Sequence, residues 1–205
     1  LHEVLDQWFI TEVQPRLKGR AFLVRYADDA VLVFEQQEDA RRVMAVLPKR
    51  LGRYGLTLHA EKTRLIDFRR PKGPGSGSGD RSFDMLGFRH LWARSRKGRW
   101  VIKRKTASDR FSRGLKRVNR LCRRIRHWPV ADQQRVLNRV LRGHDNYYGV
   151  IGNSKSVSSF HWHAANLWKK WLNRRSWKTR MNWEKFQRLL KQYPLIPARI
   201  VHGHT

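Results

Sequence analysis

Two short apolar runs, Ala21-Phe22-Leu23-Val24-Arg25-Tyr26 and Ala30-Val31-Leu32-Val33-Phe34, are separated only by Ala27-Asp28-Asp29. Both are rich in β-branched and aromatic residues, and two such runs this close together predict a β-hairpin with acids at its turn. On structural grounds the pair is an unfavourable choice. Aspartate is depleted in strands, and neighbouring carboxylates resist ionising together unless a cation lies between them. A divalent metal supplies that cation. Hard Mg²⁺ accepts carboxylate oxygens and keeps positions open for phosphates, and a pair of such ions can stabilise both the attacking hydroxyl and the leaving pyrophosphate of a phosphoryl transfer. The plain alternative is an exposed Asp-Asp turn of the sort common in hairpins. The apolar strands on both sides and the cationic segment that follows weigh against it.

That cationic segment sets the second constraint. Residues 1–68 carry 11 basic and 10 acidic side chains, whereas residues 69–205 carry 34 basic and 6 acidic ones, local net charges of +1 and +28. Self-repulsion on that scale is costly without a polyanion, so nucleic acid is the expected partner. A merely solubilising face would interleave both signs. A membrane surface is the weaker alternative, because no apolar run reaches the length of a spanning helix. Cys122 is the single cysteine. An intramolecular disulfide and a cysteine-based zinc site are thereby excluded, which fits a reducing compartment. His161-Trp162-His163 and His202-Gly203-His204 offer metal-ligand residue types, but without cysteines or an acid close in sequence they make a poor zinc site.

Along the chain, Val4, Leu5, Trp8, Phe9 and Val13 have helical spacing that ends before Pro15. The N-terminus reads like the middle of a helix and suggests a start inside a longer protein. Residues 37–53 return to helical periodicity and break at Gly52 and Gly55, and Leu65-Ile66-Asp67-Phe68 reads as another short strand. Pro71–Gly79 has the composition of a flexible loop. Strand-like segments resume at Phe83–Trp92 and Arg99–Lys103 around a turn at Ser95–Gly98. From about Thr106 the pattern is helical, with helices expected near 107–126, 130–142, 157–174 and 182–192, interrupted by Pro129, Gly143 and Gly152. The fold class is α+β, with a β-rich first part and a helical, basic second part.

Tyr26-Ala27-Asp28-Asp29 followed by Ala30–Phe34 resembles the YADD box of reverse transcriptases, and the downstream order resembles the bacterial group II intron-encoded kind. Gly55–Leu65 (GLTLHAEKTRL) is similar to that family's next palm motif, Phe83–Phe88 (FDMLGF) to its primer grip, and Leu141–Gly149 (LRGHDNYYG) to the core of its maturase domain. Pro197–His202 is similar to the end of members without an endonuclease domain. Five boxes in the right order are a far more specific signal than any one of them.

The resemblance implies a partial reverse-transcriptase palm at residues 1–104 and a helical thumb and maturase domain at 105–205. It implies RNA-directed DNA polymerisation with maturase activity in splicing, in the cytoplasm of a bacterium. Asp28 and Asp29 would be catalytic and hold two Mg²⁺ ions. The expected partners are group II intron RNA, a template–primer duplex and deoxynucleoside triphosphates. Lys62 would protonate the leaving pyrophosphate or add positive charge there, if it is not simply a solvated loop lysine. Tyr26, Leu86, Gly87 and Phe88 would lie along the nucleic acid, Gly87 allowing a close backbone approach or forming a bulge in the core. Arg123, Arg124, Arg126 and Arg142 would contact phosphates. Tyr147 and Tyr148 would stack on bases or, more simply, pack between helices. The third acidic ligand and the fingers of such an enzyme lie upstream in the family, so this chain by itself is expected to polymerise poorly. The competing reading is an RNA-binding splicing module in which Asp28-Asp29 is a relic.

Overall fold

The computed structural model describes residues 1–71, 73, 81–175 and 181–203; most of the loop expected at Pro71–Gly79, Trp177 and His204 fall outside them. The chain forms two compact units, Leu1–Arg69 and Arg70–Thr205, with small antiparallel sheets and a majority of helix, an α+β architecture.

In the first unit, widely wound helical turns at His2–Gln7 and Phe9–Val13 run into a 3₁₀ turn at Gln14–Arg16. The helical path thus passes Pro15 instead of stopping before it, because a proline at the start of a new turn forfeits no needed N–H. Strands β1 (Ala21–Tyr26) and β2 (Asp29–Phe34) pair antiparallel from Ala21↔Phe34 to Tyr26↔Asp29. Helix α1 (Gln37–Gly52) buries Ala40, Val43, Leu47 and Leu51, its three- and four-residue spacing, with the last three packed against Leu5, Trp8, Phe9 and Ala21. Alternation divides the hairpin: Ala21, Leu23, Leu32 and Phe34 join this core, while Phe22, Val24, Tyr26 and Val33 face outward and exposed. Asp39, buried in the first turn of α1, accepts hydrogen bonds from the amides of Lys18 and Gly19, both at 3.0 Å, and ties the loop before β1 to the helix. Leu65–Phe68 forms no strand. Its β-rich composition is not enough, because a strand exists only where a partner satisfies its backbone.

The second unit opens with a three-stranded antiparallel sheet of β3 (Ser82–Met85), β4 (Phe88–Arg94) and β5 (Trp100–Thr106). The segment Phe83–Trp92, strand-like throughout in sequence, is therefore a hairpin. It reverses at Leu86-Gly87, where both residues have positive φ (52° and 76°) and Met85 pairs with Phe88. Helices α2 (Ser108–Arg124), α3 (Val130–Tyr148), α4 (Ser154–Leu172) and α5 (Trp183–Gln192) follow. Gly143 does not interrupt α3. It is exposed mid-helix, where a glycine costs about 1 kcal/mol but is tolerated.

The helices close over Val118, Cys122, Leu137, Leu141, Phe160, Ala164, Trp168 and Phe186. Trp168 is fully buried and donates its indole N–H to Gln133 Oε1 at 2.9 Å, while the Gln133 amide donates to the Trp128 carbonyl at 2.8 Å. Trp171 is also core. Trp162 and Trp183 are exposed, the latter with the Lys169 ammonium 4.4 Å from its ring centre. Among the described residues no helix is long and apolar enough to cross a membrane.

Candidate active site and nucleic-acid interface

The β1–β2 hairpin turns on two residues, Ala27 and Asp28, which places Asp28 at the tip and Asp29 as the first residue of β2. Both carboxylates are exposed, and neither has a hydrogen-bond or ion-pair partner among the described residues. The turn is held under strain: Ala27 has φ 50°, a left-handed conformation that glycine adopts freely and an alanine enters at about 1–2 kcal/mol. Residues kept in such conformations by their surroundings concentrate at functional sites.

Arg25 supplies the surroundings. Its guanidinium donates to Asp6 through Nε (2.7 Å) and Nη2 (2.6 Å), a bidentate fork, and through Nη1 to the Ala27 carbonyl at 2.8 Å. The Arg25 hydrogen bonds hold the Asp6 carboxyl down at about 2. Both Asp6 oxygens are thereby engaged by the same guanidinium. Arg25 was not singled out from sequence; the signal was an arginine on the inward face of a strand that otherwise buries apolar side chains.

As a donor set, two unpartnered carboxylates suit a hard divalent cation in kind. No group of three or more His, Cys, Asp or Glu residues able to hold a metal occurs among the described residues. Tyr26 is 65% exposed on the outward face of β1. Lys62 stands exposed in a turn closed by the amides of Lys62 and Thr63 on the His59 carbonyl (3.1 and 2.9 Å) and has no acidic partner among the described residues.

In the second unit the primer-grip-like residues and the tyrosine pair come together. Tyr147 donates its hydroxyl to the Leu86 carbonyl at 2.9 Å and stacks on Phe88, ring centres 5.8 Å apart. Tyr148 also meets Phe88, and its hydroxyl lies so near Gly87 that an added Cβ would stand 3.1 Å from it. Gly87 is at a hairpin tip, not a bulge. The aromatic pair packs α3 against that tip, although Tyr147 remains 52% exposed. Arg142 is exposed on α3. Arg123 and Arg124 are exposed in the last turn of α2, Arg123 lying 5.9 Å from the Trp171 ring centre. Half-buried Arg126 donates to His127 Nε2 at 2.9 Å.

Sequence had suggested no acid for the paired histidines, yet buried Asp145 on α3 lies beside one of them, His161. His161 lies 2.8 Å from Asp145 Oδ1 through Nε2 and 3.1 Å from the Ile196 carbonyl through Nδ1. The Arg199 amide donates to the other Asp145 oxygen at 3.1 Å. These bonds fasten the C-terminal segment to the helix bundle.

The geometry therefore presents two adjacent exposed carboxylates at a strained hairpin tip. Residues 4–90 match the family described as reverse transcriptase (RNA-dependent DNA polymerase). The matched segment runs from the first helical turns through the hairpin, α1 and into β4. No curated protein matches the chain significantly.

Proposed function

We propose that the chain is the end of the palm (residues 1–104) and the thumb and maturase region (105–205) of a group II intron reverse transcriptase of bacterial type. The observation that carries this reading is the pair Asp28 and Asp29, free of partners, at the tip of a hairpin inside the reverse-transcriptase match. The boxes that follow it in order and the +28 charge of residues 69–205 support the maturase half.

In this reading Asp28 and Asp29 would hold Mg²⁺, which when bound supplies charge stabilisation for the attacking 3′-hydroxyl and the leaving pyrophosphate. The chain's own residues do the rest. The strands fix the two carboxylates, Lys62 adds a proton or positive charge at the pyrophosphate, and the Leu86-Gly87 tip lies against the primer terminus. Exposed arginines such as Arg124 and Arg142 take phosphates, bidentately where the geometry permits.

In the full-length protein, Asp28→Ala should abolish DNA synthesis on an RNA template and leave assistance to intron splicing in place. If neither activity changes, the acidic pair is not catalytic. Two carboxylates without a third hold metal weakly, so the 205-residue chain alone is expected to extend a primer poorly, and robust extension by it would overturn that expectation. The second reading, an RNA-binding splicing module without polymerase activity, is favoured by the 34 basic against 6 acidic residues after position 68. It predicts intact splicing assistance and no synthesis even before Asp28 is changed.

A further inference from the structure

We propose that Arg25 is a positioning residue for the Asp28–Asp29 pair: its guanidinium, anchored by Asp6, clamps the Ala27 carbonyl and so fixes the turn that presents both carboxylates. The proposal rests on the reading of that pair as a metal-binding site.

Three observations carry it. Ala27 occupies a left-handed conformation that a non-glycine residue leaves unless something restrains it, and among the described residues the one side chain bonded to its carbonyl is Arg25, at 2.8 Å. The restraint is rigid, because the same planar group is held on its other edge by two short bonds to Asp6. Both partners are half-buried, with side-chain exposures of 23% for Arg25 and 19% for Asp6.

Asp6 has a second effect. A guanidinium three and four residues from two carboxylates would, if free, swing to them as an ion pair and compete with a metal ion. It does sense the charge of Asp28. With its fork engaged by Asp6, Arg25 braces the turn while its charge is balanced by a neighbouring carboxylate. Asp28 and Asp29 are left without partners and available to a cation.

The clamp makes a prediction opposite in sign to plain electrostatics. Removing a positive charge beside two carboxylates should tighten cation binding if Arg25 acts only through its charge. If it acts as a clamp, removal should weaken it. The probe is Mn²⁺, titrated into the intact 205-residue chain, with free ion read by electron paramagnetic resonance and paramagnetic broadening read at the Ala27–Asp29 amides.

Arg25→Lys, Arg25→Ala and Asp6→Asn are compared with Asp28→Asn, with melting curves to verify folding. Losing one carbonyl hydrogen bond corresponds to about fivefold weaker Mn²⁺ binding, given a net value of about 1 kcal/mol per bond and a tenfold change per 1.4 kcal/mol. Arg25→Lys, which keeps the charge and cannot span both partners, is expected to show that loss at a near-parental melting temperature. Asp6→Asn should weaken binding as well. Unchanged or tighter binding in Arg25→Lys, with Asp28→Asn weakened, overturns the clamp and spares the metal site. If Asp28→Asn binds Mn²⁺ like the parent, the metal site itself is wrong and the clamp falls with it. Should Arg25→Ala fail to fold, the lysine and asparagine variants decide.

Discussion

Gly149, the last residue of the maturase-like box, supplies the sharpest test of the physical reasoning. Its φ is −74°, so no left-handed backbone demands glycine there; the demand is for space. A Cβ at this position would overlap the Asp145 carbonyl oxygen outright, stand 2.7 Å from the Arg199 carbonyl oxygen and lie 3.1 Å from the Val201 amide. All three are backbone atoms and cannot rotate away. Gly149→Ala must therefore lift residues 199–202 off the end of α3. That displacement breaks the bonds from the Val201 and His202 amides to the Gly149 carbonyl (2.7 and 2.9 Å) and from the Arg199 amide to Asp145 (3.1 Å). Two neutral bonds at about 1 kcal/mol each and one to a carboxylate at about 2 kcal/mol give a loss of about 4 kcal/mol. For a unit of this size that is about 10 °C or more in melting temperature. Gly143, in the same box, is the internal control. A Cβ there meets nothing within 4 Å, and Gly143→Ala should gain about 0.5–1 kcal/mol from helix propensity. Melting and denaturant titration followed by tryptophan fluorescence read both variants. A Gly149→Ala protein melting within 2–3 °C of the parent, or two variants shifting in the same direction by similar amounts, would refute the argument that the box is a steric joint.

Three further outcomes are expected. Burial in the bundle, where it stacks 3.8 Å from Phe160, lowers His144 to about 4. The unfolded chain therefore binds a proton near pH 6.5 that the folded chain refuses, so stability should decline as pH falls from about 6.5 towards 4 and level off below. His144→Phe should flatten that slope, measured as denaturation midpoint against pH. Burial pushes the Cys122 thiol up to about 12. It should resist maleimide labelling in the folded protein and react at once in guanidinium, with rapid labelling of native protein contradicting its place in the core. Arg120 and Arg124, one helical turn apart on α2, are exposed without acidic partners among the described residues. Replacing both by glutamine should reduce the slope of log affinity against log salt for duplex RNA by about 1–2 and leave the melting temperature unchanged, whereas an unaltered slope would remove this face of α2 from the nucleic-acid surface.

Much of the first unit was legible because its signals are local. The β1–β2 hairpin needs only two β-rich runs and a short gap, and α1 follows from apolar residues three and four apart. The four later helices were also visible, but their ends were not. Gly143 reads as a break, and only its exposed place on α3 reveals that the helix continues through it at a tolerable cost. Leu65–Phe68 reads as a strand and forms none, since pairing is decided by what lies alongside. Phe83–Trp92 reads as one strand and is two, because the reversal uses a Leu-Gly pair in place of a polar turn, and Tyr147 holds Leu86 in its unusual conformation from sixty residues away.

The amino-acid sequence by itself made legible an acidic pair at a hairpin tip, a surrounding motif that resembles the reverse-transcriptase box, and a strongly cationic stretch after residue 68. These follow from residue type and short spacing, which survive in one dimension. Tertiary structure alone decided what holds those groups in place. Asp6 meets Arg25 across 19 residues, Tyr147 meets Leu86 across 61, and Asp145 meets His161 and Arg199 at the far end of the bundle. Each depends on side chains brought within hydrogen-bonding reach by packing, a short-range condition that separation along the chain neither records nor forbids.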